Sequence, residues 1–281
     1  MTLLMLILFM LVLTGIVQPP EEKTAAIESQ EKWVAPDTNA LPNNSEGDLN
    51  RYGRELVRHT AKYLGPEGSI APITNGMNCQ NCHLEAGTKP WGNNFSAVAS
   101  MYPKFRERSG STETISKRVN DCVERSLNGT ALSPTSHEMT AIIAYLQWVG
   151  GEVPKGTAPP GVGIADVPLL DRPADPAKGK EVFTLQCARC HGPEGQGTKA
   201  VVGPGWVYPP LWGNASFNTG AGLLRLSRMA GFIFANMPND SQGRVLTPEE
   251  AWDVAAYISS MARPSRDLSK DWPDLTKKPY D

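Results

Sequence analysis

The sequence predicts a mainly α-helical protein built as two small domains in tandem, and three observations support this. Four of the five cysteines form two copies of one pattern, Cys-x-x-Cys-His, at Cys79, Cys82, His83 and at Cys187, Cys190, His191. Each copy follows a stretch of helical apolar spacing, and each is followed by a loop-rich stretch and then a second helix. Between the copies, Gly150 to Lys178 is dense in Pro and Gly (Pro154, Pro159, Pro160, Pro168, Pro173, Pro176), which predicts a semi-extended linker. With 281 residues there is room for two domains of about 100 residues each. We place the first at 50–150, the linker at 151–175, the second at 176–262 and an extension at 263–281.

The elements repeat in order. Gly53 to Tyr63 reads as the opening helix of the first half through Leu56, Val57 and Tyr63, and Pro176 to Leu185 opens the second around Gly179, Val182 and Phe183. Thr135 to Trp148 and Thr247 to Met261 read as closing helices, each beginning at a capping Ser or Thr with Glu nearby. Each closing helix carries a tyrosine at the same distance from its threonine, Tyr145 and Tyr257. Ahead of both halves, residues 21–49 are polar, contain prolines and lack periodicity, which predicts a flexible tether. Leu3 to Val17 is the one strongly apolar run. Over residues 1–20 it predicts an export signal or a short membrane anchor.

Cys-x-x-Cys-His is the attachment pattern of c-type haem: the two thiols add to the porphyrin and the histidine ligates iron. A zinc knuckle or a redox dithiol can also use Cys-x-x-Cys, but histidine directly after the second cysteine, twice, favours two covalently bound haem c groups. The charge is nearly balanced, with 27 Lys and Arg against 29 Asp and Glu, so the basic surplus of a nucleic-acid binder is missing. The order of helix, motif, loops, distal ligand and closing aromatic helix resembles the class I cytochrome c fold, in which haem replaces much of the apolar core of a small domain. Haem attachment in that family implies a chain exported to the periplasm.

Each iron needs a sixth ligand. In the second half Phe234-Ala235-Asn236-Met237-Pro238 looks like the methionine loop of class I cytochromes, which makes Met237 the candidate; the alternative is that Met237 is a core methionine, since Met229 and Met261 are both nearby. The matching loop of the first half has no methionine but contains Cys122, the cysteine left over from the motifs. Met101, His137 and Met139 compete with it as ligands. An unpaired thiol in a distal loop points to ligation or catalysis, and Arg106, Arg108, Lys117, Arg118 and Arg125 lie near it in sequence. Such a group can depress a thiol pKa and hold a small anion, or form a solvated basic face.

Three segments, Gly76 to Leu84, Asn120-Asp121-Cys122 through Ser126-Leu127-Asn128-Gly129, and Pro210-Leu211-Trp212-Gly213, resemble the dihaem thiosulfate dehydrogenases, which also act as tetrathionate reductases. The resemblance implies His83 and Cys122 on the active-site iron, His191 and Met237 on the other, and Arg108, Arg118 and Ser126 lining the site. It implies oxidation of two thiosulfate to tetrathionate, with electrons leaving to a small cytochrome c or similar redox protein. Some members carry a lysine before the second-half methionine as a competing ligand. Here that residue is Asn236, so that exchange is not available. Two other readings share the motifs: a dihaem carrier resembling cytochrome c4, and a subunit resembling the haem-thiolate SoxA proteins.

Overall fold

The computed structural model describes residues 32–240 and 246–281. The signal or anchor expected over residues 1–20 and the tether up to residue 31 lie outside the described residues. In the first half, helix α1 (Ser45–Arg58) continues into α2 (Thr60–Leu64), and α3 (Ile115–Arg125) and α4 (His137–Val149) follow. In the second half, α5 (Pro176–Val182) runs into a π-helical turn, Phe183–Cys187, and α6 (Leu226–Asn236) and α7 (Pro248–Ser260) follow. Each half also carries one short antiparallel hairpin, β1 (Lys104–Arg106) with β2 (Ser111–Glu113) and β3 (Thr198–Lys199) with β4 (Trp206–Tyr208). Both halves belong to one unit, Lys32–Asp281.

The caps explain the helix starts. The Asn44 side chain accepts from Gly47 N, and Glu46 and Asp48 occupy the first turn, so α1 begins well before Gly53 and takes in residues we read as tether. Ser136, rather than Thr135, caps α4. Thr247 and Glu250 form a reciprocal capping box on α7. Asp175 caps α5 ahead of Pro176 at its first position.

In both halves the opening and closing helices cross at a glycine. A Cβ on Gly53 would fall against the Ala141 carbonyl oxygen of α4, and one on Gly179 against the Asp253 carbonyl oxygen of α7. The nearest side chains there are the matched tyrosines, Tyr145 Cβ at 2.8 Å and Tyr257 Cβ at 2.9 Å. Each crossing brings a closing helix over its opening helix, and the apolar core forms beneath. Leu56, Val57, Met139, Ile142 and Tyr145 fill it in the first half, and Phe183, Phe232, Val254 and Ile258 in the second. The Tyr145 hydroxyl donates to the Ala86 carbonyl at 3.0 Å, bracing a left-handed turn at Glu85 and Ala86 just after His83.

The linker is held at both ends. Trp91 N and Asn93 N donate to the carbonyls of Gly161 and Gly163, each at 2.7 Å. At the other end the buried Asp253 carboxylate accepts from both Arg172 nitrogens, at 2.8 and 2.7 Å, and from Asp175 N at 2.7 Å. Burial pushes the Asp253 carboxyl upward, but these donors outweigh it and hold it below the ordinary carboxylate value.

Gly53→Ala and Gly179→Ala should each cost about 3 kcal/mol, because backbone must move. Gly222→Ala, with nothing near the added carbon, should change little. Thermal unfolding of the three variants checks this. Because the folded pKa of Asp253 is depressed, its contribution is present above the unfolded pKa of about 4 and is lost as pH falls through the lower folded value. Asp253→Asn should therefore lower the melting temperature at pH 7, and the gap to wild type should close in acid.

Candidate active site

The first cavity has a volume of about 190 Å³ and is lined by Cys79, Cys82, His83, Tyr102, Arg118, Cys122 and Ser126 against apolar side chains of helices α1 to α4. His83 Nδ1 donates to the Asn93 carbonyl at 2.5 Å, which leaves Nε2 free to act as a ligand. His83 also lies within hydrogen-bonding reach of Cys122. Thr60 Oγ1 accepts from Cys79 N at 3.0 Å and touches its sulfur at 3.2 Å, fixing the start of the motif.

Cys122 is not on a loop. Thr114 caps α3 through Lys117 N, and Ile115, Val119 and Val123 recur at helical spacing toward the core, so the segment winds into a helix. The winding places Arg118, Cys122 and Ser126 four residues apart on one face. Arg118 Nη1 donates to the Cys122 sulfur at 3.2 Å. Burial alone would raise the Cys122 thiol; Arg118 and then His83 overcome it and bring it down to about 7. Burial dominates at three of the motif cysteines: Cys79 is pushed up to about 11 and Cys82 and Cys187 to about 12. Cys122 is thus the thiol prepared to ionise.

Other expected residues fall elsewhere. Arg108 sits in the turn after β1, and its guanidinium faces Asp271 instead of lining the cavity. Met101, His137 and Met139 do not line it: His137 stacks on Tyr52 at 5.2 Å and Met139 is wholly buried in the core. Sequence reasoning missed Tyr102, which lines the cavity and lies in the field of Arg118 and Cys122. No periodic pattern marks it.

The second cavity, of about 760 Å³, is lined by Cys187, Cys190, His191, Met229 and Met237. His191 Nδ1 donates to the Pro209 carbonyl at 2.8 Å, as His83 does to Asn93. Met237 caps the end of α6, where the chain turns extended, whereas Met229 lies inside that helix. The wall is completed from the first half by Met77, Gln80 and Cys82, and Cys82 lines both cavities.

In each cavity two thiols, a histidine with Nδ1 engaged and a further sulfur meet within apolar walls, a donor set that fits a covalent haem. The fold and the two cavities define a dihaem c-type cytochrome with two covalently bound haem c groups. Residues 176–262 match the cytochrome c family, and residues 71–154 match the SoxA/TsdA cytochrome c domain. A thiosulfate dehydrogenase of Stutzerimonas stutzeri is 41% identical over 88% of this chain and 73% of its own length. Those of Psychrobacter arcticus and Allochromatium vinosum are 37% identical (85% of this chain, 71% of the relative) and 36% identical (82% and 84%). The solved thiosulfate dehydrogenase TsdBA of Marichromatium purpuratum superposes with a TM-score of 0.76 at 32% identity, covering 83% of this chain and 50% of that one. The chain belongs to the thiosulfate dehydrogenases, a family of oxidoreductases.

Met237→Ala should lower the potential of one haem and remove the sulfur-to-iron absorption at the red end of the ferric spectrum. Met229→Ala should leave both in place, which spectroelectrochemistry of the two variants checks.

Proposed function

We propose that the protein oxidises two thiosulfate ions to one tetrathionate outside the cytoplasm and passes the electrons to a small cytochrome c or similar redox protein. The observation that carries this reading is the half-buried Cys122 sulfur, held by Arg118 at 3.2 Å beside His83 in the first cavity. The four motif cysteines would hold the haems through thioether bonds, with His83 and Cys122 as iron ligands in one half and His191 and Met237 in the other. When bound, the haems supply a sink for two electrons.

Written in terms of this chain's residues, the Cys122 thiolate bonds to the sulfane sulfur of one thiosulfate, Cys-S⁻ + S₂O₃²⁻ → Cys-S-S-SO₃⁻ + 2 e⁻. A second thiosulfate then attacks this adduct, Cys-S-S-SO₃⁻ + S₂O₃²⁻ → Cys-S⁻ + S₄O₆²⁻, and the thiolate is the leaving group. Both steps bring like charges together. Arg118 offsets that repulsion at the sulfur, and the Ser126 and Tyr102 hydroxyls on the cavity wall can donate to sulfonate oxygens. A leaving thiolate is favoured by the same arginine that lowers the thiol pKa. The export expected from residues 1–20 supports the cellular location.

Cys122→Gly should retain both haems, as pyridine haemochrome content reads, and lose tetrathionate formation from thiosulfate with ferricyanide as acceptor. Turnover close to wild type would instead favour a dihaem carrier. Arg118→Ala should weaken thiosulfate binding by about 2 kcal/mol, roughly thirtyfold in KM.

A further inference from the structure

Beyond α7 the chain leaves the second half and crosses the first. Thr219 N donates to the Pro264 carbonyl at 2.9 Å, and the Arg266 guanidinium reaches Glu124, its carbonyl at 3.3 Å and its carboxylate at 3.1 Å. Trp272 N donates to the Arg108 carbonyl at 2.8 Å. This brings the Asp271 carboxylate between two arginines of the first half. Oδ2 accepts from Arg108 Nε at 2.7 Å, lies 2.7 Å from Arg108 Nη2 in an ion pair, and accepts from Arg125 Nη1 at 2.8 Å, while Oδ1 accepts from Arg125 Nη2 at 2.8 Å. The three side chains are only 10% (Asp271), 22% (Arg108) and 14% (Arg125) exposed.

One carboxylate between two guanidiniums leaves a net positive charge, and its place matters. Arg125 follows Cys122 by less than one turn of α3, and Arg108 feels the cations of both Arg125 and Arg118. Without Asp271 the two arginines would repel each other in a partly desolvated position. Arg125 Nε is buried with no hydrogen-bond partner, so its fork to Asp271 is what orients that side chain.

We infer that Asp271 is a positioning residue that holds Arg108 and Arg125 as a fixed cationic pair beside Arg118 and Cys122, so that the C-terminal segment of the second half completes the anion site of the first. The inference rests on the thiosulfate-oxidising reading. It explains why Arg108 does not line the cavity directly.

The test uses the holoprotein with Asp271→Asn, Asp271→Glu and Arg108→Gln, reading both haem potentials without thiosulfate, then kcat and KM. Asp271→Asn should raise the potential of the first haem and Arg108→Gln should lower it, opposite signs that general loosening does not produce, with the second haem unmoved. Asp271→Glu keeps the charge but moves the carboxylate, so it should keep the potential near wild type. Asp271→Asn and Asp271→Glu should both lose kcat/KM, by at least about tenfold for Asp271→Asn. Unmoved potentials, or shifted potentials with unchanged kcat/KM, would overturn the inference. If Asp271→Asn fails to hold both haems, Asp271→Glu decides, and wild-type kcat/KM in that variant counts against it. Failure of the wild type to form tetrathionate would refute the proposed reaction alone, since the potentials are read without substrate.

Discussion

The contact between Arg118 and the Cys122 sulfur is the interaction on which the proposed chemistry depends. A thiol enclosed in a cavity should be harder to ionise than one in water, and Cys79, Cys82 and Cys187 follow that rule. Cys122 is as enclosed as they are and moves the other way because one guanidinium sits at 3.2 Å and the His83 ring lies within reach. The contact needs one turn of helix to place Arg118 over Cys122, and that helix needs the Thr114 cap and the Ile115, Val119, Val123 stripe to hold it against the core. Local propensity, packing and reactivity therefore converge on α3.

The two halves share a plan and differ where function requires it. Both cross their outer helices at a glycine, both place a tyrosine beside that crossing, and both tie a histidine Nδ1 to a backbone carbonyl. They diverge at the remaining sulfur: a thiol on a helix face in one, a thioether at a helix end in the other. On the proposed ligation, thiolate and thioether would bias iron in opposite directions, which would suit one haem for substrate chemistry and the other for passing electrons on. Because Cys82 lines both cavities, the attachment edge of the first haem site is also a wall of the second.

Much of this was legible in the sequence because its signals are local. The Cys-x-x-Cys-His spacing, the caps of the closing helices and the oddness of a fifth cysteine each lie within a few residues. The helical state of Cys122 was also within reach, since Ile115, Val119 and Val123 keep helical spacing, but the polar residues between them read as loop. The Arg108–Asp271 contact could not be seen: 163 positions separate the partners, and nothing distinguishes Asp271 from Asp267, Asp274 and Asp281 in the same Pro- and Lys-containing tail. Tyr102 and the anchoring of the linker by Trp91 and Asn93 are likewise products of tertiary packing. Arg108 shows the limit most plainly, since resemblance named the residue while only the fold revealed what it touches.

The most direct test of the central claim is chemical. Oxidised protein is exposed to one equivalent of thiosulfate, quenched in acid and digested, and the Cys122 peptide is weighed. A thiosulfate-derived S-S-SO₃ group on Cys122, removed by a second addition of thiosulfate as tetrathionate appears, is the predicted result. Tetrathionate formed at full rate while Cys122 stays unmodified at every time point would contradict the account.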